Sequence, residues 1–146
     1  MSIIIPDRLF QSGYPFNIIK SIQKEAKVSV VVNCCDSSNA FYSRDLLPET
    51  KCIYYEIIDY SIPKIDTFKL LINELLQDYN QSKNILVHCM GGRGRSSLVT
   101  ICLYGRIHNV GFDESIAHVR SVRGRGCPET HEQVEFVKKY FEELQG

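Results

Sequence analysis

Ten consecutive residues, His88-Cys89-Met90-Gly91-Gly92-Arg93-Gly94-Arg95-Ser96-Ser97, combine one thiol, three glycines and two arginines. Three glycines in four positions let the backbone take positive φ and approach a ligand closely, so that successive N–H groups can turn inward as an anion nest. Met90, Gly91, Gly92, Arg93 and Gly94 would line that cradle. A helix starting just after it adds its positive end. No Gly-Lys-Ser/Thr follows, as a nucleotide P-loop requires, and Gly92-x-Gly94 lacks the third glycine of a dinucleotide fingerprint. A cysteine at the mouth of such a nest is stabilised as thiolate by the N–H groups, the helix end and Arg95, which makes Cys89 a nucleophile. Arg95 can fold back across the loop and grip two phosphate oxygens as a fork, which a lysine could not do. Together these residues specify attack on a phosphate ester. A buried apolar thiol is the usual fate of a free cysteine, but it would call for neither the arginine nor the glycines.

Such a loop needs a strand before it and a helix after it. Asn84 to His88 reads as that strand, and Val28 to Cys34 and Cys52 to Ile58 as two others, each a short run rich in β-branched or aromatic residues. The loop is followed by Leu98 to Tyr104, apolar all round, which predicts a buried helix. Ile65, Phe68, Ile72, Leu75, Leu76 and Tyr79 mark one face of an amphipathic helix. A shorter helix is expected over Phe16 to Ala26, another from Asp113 as N-cap, and a last one carrying Val134, Val137, Phe141 and Leu144. Strands alternating with helices predict an α/β fold, a central, mostly parallel twisted sheet flanked by helices. Ligands in such folds sit beyond the carboxyl ends of the strands, which directs attention to the loops near Cys35, Asp59 and Cys89.

The remaining chain sets bounds. At 146 residues and 44% hydrophobic composition it is expected to form one domain, residues 1–146, with a sizeable core. Seventeen Lys and Arg balance seventeen Asp and Glu, which excludes a bulk-electrostatic nucleic-acid binder. The six Arg between Ile85 and Pro128 face only Asp113 and Glu114 there, so positive charge gathers around the loop and would steer phosphorylated ligands to it. Only three apolar residues stand together before Pro6, too few for a signal core or membrane span, and the C-terminus lacks a prenylation cysteine. A cytoplasmic protein without membrane anchor is expected, with a nuclear location left open. Its six cysteines are expected to be mostly reduced thiols.

His-Cys-x5-Arg-Ser resembles the signature loop of cysteine-based protein tyrosine phosphatases, and the stretch from Asp7 through Tyr140 is similar to their small dual-specificity branch, Arg8-Leu9-Phe10-Gln11-Ser12-Gly13 included. His-Cys-Met-Gly-Gly-Arg-Gly-Arg-Ser is particularly similar to the loop of the cyclin-dependent-kinase-associated phosphatase and of small archaeal phosphatases. The resemblance implies a dual-specificity-phosphatase-like fold, a covalent cysteinyl-phosphate intermediate, no cofactor and no metal. The chain departs from the family at Ser97, where Gly or Ala is usual.

Cleavage of an aryl or alkyl phosphate needs a proton donor for the leaving oxygen. Asp59 is the candidate, because it follows a strand at its carboxyl end and Asp59-Tyr60-Ser61-Ile62-Pro63 is similar to the family's acid loop. Asp36 is its rival at the same sheet edge, with a turn-forming Asx role as the alternative. Asp66 is read as a first-turn charge on a helix. The family assigns Ser96 a hydrogen bond to the departing Cys89 thiolate, compatible with a helix cap. Gln133 resembles the family's water-positioning glutamine, yet Thr130-x-x-Gln133 is also a capping box. His88 either orients the loop or is a satisfied buried histidine. Cys34 and Cys35 end a strand expected beside Cys89; their side chains point to opposite faces. Cys35, whose Cys-Asp sequence is similar to that of the regenerating-liver phosphatases with their backdoor cysteine, is taken as the possible redox partner. The reading is a metal-independent phosphatase acting on phosphotyrosine and on phosphoserine or phosphothreonine in proteins. Phosphoinositide or RNA 5′-triphosphate hydrolysis and an inactive phosphate-binding adaptor are the alternatives.

Overall fold

The structure is a computed structural model that describes residues 1–15, 19–35 and 49–145. Five strands and five helices are described: β1 (Ser2–Ile5), β2 (Leu9–Ser12), α1 (Ile19–Ala26), β3 (Val30–Asn33), β4 (Lys51–Tyr54), α2 (Ile65–Asn80), β5 (Ile85–His88), α3 (Arg95–His108), α4 (Phe112–Arg123) and α5 (His131–Gln145). The sheet order is β1-β2-β5-β3-β4. β2, β5, β3 and β4 run parallel, and only the edge strand β1 is antiparallel to its neighbour β2. The expected α/β architecture is therefore present.

The three predicted strands are present but shorter. The Cys52–Ile58 run pairs as a strand only to Tyr54, after which Tyr55 and Ile57 donate single bonds to the Asn33 and Cys34 carbonyls. Two strands were not anticipated. Leu9–Ser12 lies inside the sheet with all four residues buried, and a strand covered on both faces need not alternate apolar with polar residues. The helix expected from Phe16 is described from Ile19; residues 16–18 lie outside the described residues. Asp113 is not an N-cap. Gly111 caps α4, and Asp113 sits in the first turn, where its charge opposes the helix dipole. Asp66 has the corresponding place in α2.

Strand parity divides the core. Val30, Val32, Ile85 and Val87 join α2, α3, α4 and α5 in one cluster, while Val31 and Leu86 pack with Ile19 and Ile22 of α1 on the other face. Helix α3 is buried continuously from Arg95 to Leu103, as expected of a helix without a polar face. At Gly105, a Cβ would run into the Phe141 ring and lie 2.6 Å from Ser115 Oγ, so a glycine there lets α3 approach α4 and α5. The result is a rigid strand β5 and a rigid helix α3 holding the ends of the segment from Cys89 to Gly94.

Candidate active site

The loop begins where β5 ends, between β2 and β3. Its backbone orientation follows from where its carbonyls are held. The Met90 carbonyl accepts the Tyr14 N–H at 2.9 Å. The Gly91 carbonyl accepts from Arg123 Nη2 at 3.3 Å, and that of Gly92 from Gln11 Nε2 at 2.9 Å. A trans peptide points its C=O and N–H in opposite directions within one plane, so three carbonyls drawn outward turn the N–H groups of Gly91, Gly92 and Arg93 towards the loop interior. The Gly92 N–H donates to Cys89 Sγ at 3.2 Å, and Ser96 Oγ lies 3.3 Å from the same sulfur. Gly92 has φ +73, and a Cβ there would collide with Arg123 Nη2 and lie 2.6 Å from Gly13 N, so only glycine fits.

Arg95 is 3% exposed, close to full burial for a guanidinium. Its Nη1 donates to the Ile57 carbonyl at 3.3 Å and its Nε lies 3.5 Å from Asp59 Oδ1. Among the described residues that Nε makes no hydrogen bond, and a buried donor left without one on a charged group is costly unless something binds there. An anion in the cradle would satisfy it. Asp59 itself is half-exposed at the rim, with its Oδ1 accepting the Tyr60 N–H at 3.0 Å. Two pairs of the predicted site residues are thus in contact, Cys89 with Ser96 and Arg95 with Asp59, and Met90, Gly91, Gly92, Arg93 and Gly94 form the loop between Cys89 and Arg95. Asp36 lies outside the described residues. Among the described residues no group of three His, Cys, Asp or Glu could hold a metal ion, and no helix is long and apolar enough to cross a membrane.

Gln11 was missed by sequence reasoning. Its amide is fully buried and lies within reach of the Gly92 carbonyl, of Ser97 Oγ at 2.8 Å and of Ser96 Oγ at 3.2 Å, while its Oε1 accepts from Thr100 Oγ1. Ser97, the departure from the family pattern, therefore meets a hydrogen-bond donor from β2 instead of crowding the loop. The sequence offered little signal for it, only a glutamine after the apolar pair Leu9 and Phe10.

Gln133 is fully buried with its amide committed to the fold. Its backbone N–H donates to Thr130 Oγ1 at 3.1 Å, and its Oε1 accepts the N–H groups of Thr130 and Glu129 at 3.2 and 3.0 Å. This reciprocal pair is the capping box. Its Nε2 donates to the Ser61 carbonyl at 3.2 Å, which ties the Asp59 loop to the start of α5. Gln133 also stands beside Gly94.

His88 is fully buried, with Nδ1 3.3 Å from the Cys89 carbonyl and its ring edge-on to Tyr14. A carbonyl only accepts, so the proton sits on Nδ1. Desolvation pushes the imidazole down to about 4, against the weaker opposing effect of that carbonyl. Because the folded value lies below the unfolded 6.5, the unfolded chain binds the extra proton first. The contribution of neutral His88 is complete above pH 6.5 and is lost as the pH falls towards 4. Urea titrations between pH 7.5 and pH 4.5 are expected to show a stability slope worth up to about 3 kcal/mol that is absent from His88→Gln. Equal slopes in both proteins would rule this out.

The register corrects the choice between the two strand-end cysteines. Asn33 pairs with His88, and Cys34 N–H continues the ladder to the His88 carbonyl at 2.9 Å, so Cys34 stands level with Cys89. Both belong to the cluster beneath α3, whereas Cys35 turns away with its N–H on Asn33 Oδ1. Burial pushes the Cys34 thiol up, and the neighbouring Cys89 adds to this. Cys34, not Cys35, shares the face of Cys89.

Residues 9–142 match the family described as dual specificity phosphatase, catalytic domain. An uncharacterized protein of Methanocaldococcus jannaschii is 30% identical over 88 residues, 60% of this chain and 58% of that protein. Cyclin-dependent kinase inhibitor 3 of Rattus norvegicus is 29% identical over 92 residues, 62% of this chain and 43% of its own length. The chain thus spans about half the length of these curated relatives. The crystal structure of human DUSP28 shares the fold, with a TM-score of 0.85 and 18% identity over 99% of this chain and 95% of that one. The family match runs from the first sheet-interior strand to the last helix and encloses the Cys89 loop: the chain belongs to the dual specificity phosphatase family.

Proposed function

We propose that this phosphatase-family domain hydrolyses phosphate monoesters of proteins, phosphotyrosine and phosphoserine or phosphothreonine, through a cysteinyl-phosphate and without metal or cofactor. The observation that carries it is the inward-facing Gly92 N–H on Cys89 Sγ at 3.2 Å, together with a buried Arg95 Nε that makes no hydrogen bond among the described residues. The Cys89 thiolate attacks phosphorus, an S–P bond forms, and the ester P–O bond breaks as Asp59 gives its proton to the leaving oxygen. The loop N–H groups and Arg95 hold the three equatorial oxygens, where charge is concentrated in the transition state. Water then attacks phosphorus, Asp59 takes its proton, and the departing thiolate is received by Ser96 Oγ. Gln133 holds the Asp59 loop in place, and His88 supports the Cys89 carbonyl from below.

The rim favours a protein substrate. Ile58 is 66% exposed, Tyr60 62% and Met90 37%, an apolar fringe that suits peptide side chains better than an inositol ring. Arg93 is exposed on the loop itself and is suited to acidic flanking residues. Phosphopeptides, phosphoinositides and 5′-triphosphate RNA compared at matched pH test this reading. We expect the highest kcat/KM on phosphopeptides; a preference for either other class would replace the protein substrate, and phosphate binding without turnover would point to an adaptor.

A second consequence concerns oxidation. Peroxide would convert the Cys89 thiolate to a sulfenic acid, and the Cys34 thiol would displace water from it to form a disulfide. Mild peroxide followed by peptide mass spectrometry is expected to give a Cys89–Cys34 pair and activity recoverable with thiol. A Cys89–Cys35 pair, or over-oxidised Cys89 without any pair, would refute the assignment.

A further inference from the structure

Arg123 is the last residue of α4, followed by Gly124 at φ 113. It lies 34 residues beyond Cys89 and is not part of the signature loop. Its guanidinium spans two parts of the fold, Nη1 donating to Ser2 Oγ of β1 at 3.0 Å and Nη2 to the Gly91 carbonyl at 3.3 Å. The carbonyl it holds belongs to the same peptide as the N–H that donates to Cys89 Sγ. One rigid plane therefore has Arg123 at its outer end and the sulfur at its inner end.

The two neighbouring carbonyls are secured differently, that of Met90 by backbone and that of Gly92 by the fully buried Gln11. The Gly91–Gly92 peptide lies between two residues without side chains, and a Cβ on Gly91 would meet none of the described residues within 4 Å. Glycine φ and ψ carry little steric preference, so this plane can rotate unless its carbonyl is gripped. We infer that Arg123 is a positioning residue of the phosphate loop: by holding the Gly91 carbonyl outward it keeps the Gly92 N–H aimed at Cys89 Sγ and at the phosphate that Cys89 attacks. The inference rests on the phosphatase reading above. The fork serves both partners from separate nitrogens, Nη1 to Ser2 Oγ and Nη2 to the Gly91 carbonyl, whereas a lysine would have to serve both from one nitrogen on a flexible stem. A helix-terminal arginine with a merely structural role would change stability and leave the loop's affinity for anions untouched.

The test compares the wild-type 146-residue chain with Arg123→Met, Arg123→Lys and Ser2→Ala. The readouts are inorganic phosphate affinity by NMR titration, the rate of Cys89 alkylation by iodoacetamide at pH 6 by mass spectrometry, and thermal unfolding. Arg123→Met is expected to lower phosphate affinity and slow alkylation by about tenfold each, the effect of losing one hydrogen bond to a charged group. Arg123→Lys should resemble Arg123→Met, and Ser2→Ala, which removes only the outer tether, should show about a twofold to threefold loss in the same direction. If Arg123→Met does not fold, the lysine and Ser2 variants decide. Wild-type phosphate affinity and alkylation in the variants would overturn the inference, and so would full restoration by lysine, which would leave only a charge effect. A wild-type protein that neither binds phosphate nor shows a selectively reactive Cys89 would overturn the phosphatase reading and this inference with it.

Discussion

Cys89→Ser is expected to reduce turnover of a simple aryl phosphate by more than about 10⁴-fold, a loss typical of removing a covalent nucleophile. The reason is chemical rather than steric. A hydroxyl in place of the thiol still faces the Gly92 N–H and Ser96, which now stand 3.2 and 3.3 Å from the sulfur, but it is hardly ionised at neutral pH and attacks phosphorus slowly. The cradle survives the change, since its carbonyls are held by Tyr14, Arg123 and Gln11 rather than by Cys89. Inorganic phosphate should therefore bind the serine protein with an affinity within a few-fold of wild type. Steady-state turnover together with a phosphate titration checks both halves. Appreciable turnover by Cys89→Ser would sink the covalent route, and so would loss of wild-type activity in the presence of a chelator.

Asp59→Asn should lower kcat by about 10²–10⁴ for poor leaving groups and by much less for activated ones, because a proton is needed only where the departing oxygen is basic. Asp59 is placed for this, with Oδ1 3.5 Å from Arg95 Nε and its own loop tied to α5 through Gln133 and the Ser61 carbonyl. A series of aryl phosphates with graded leaving groups, run on Asp59→Asn and Asp36→Asn, reads the slope directly. The steep dependence should appear in Asp59→Asn alone. If it appears in Asp36→Asn instead, the proton donor has been misassigned.

Much of this site could be read from residue types and spacing because its parts are contiguous. A thiol, glycines and an arginine within one loop report their chemistry wherever the loop is placed, and the strand before and buried helix after it are local patterns of hydrophobicity. The same locality made α2, α3 and α5 legible. β1 and β2 were not, since Pro6, Asp7 and Arg8 break up that segment and β2 holds only two apolar residues, Leu9 and Phe10, before the buried polar Gln11 and Ser12. The Asp113 cap failed for a related reason: Gly111 serves with its backbone alone, and a side-chain rule cannot see it.

What the sequence determined by itself was the set of groups offered, a thiol, three glycines and an arginine in one loop of a mostly parallel α/β sheet, because nearness along the chain already brings those groups together. The tertiary structure decided which distant residues act on that loop. Gln11 and Arg123 reach it only because β2 pairs with β5 and α4 packs across β1 and α3, and their partners are backbone carbonyls, which no sequence distinguishes. It likewise decided between adjacent Cys34 and Cys35, since two neighbours on a strand face opposite sides and only the strand register, here Asn33 against His88, says which side holds Cys89.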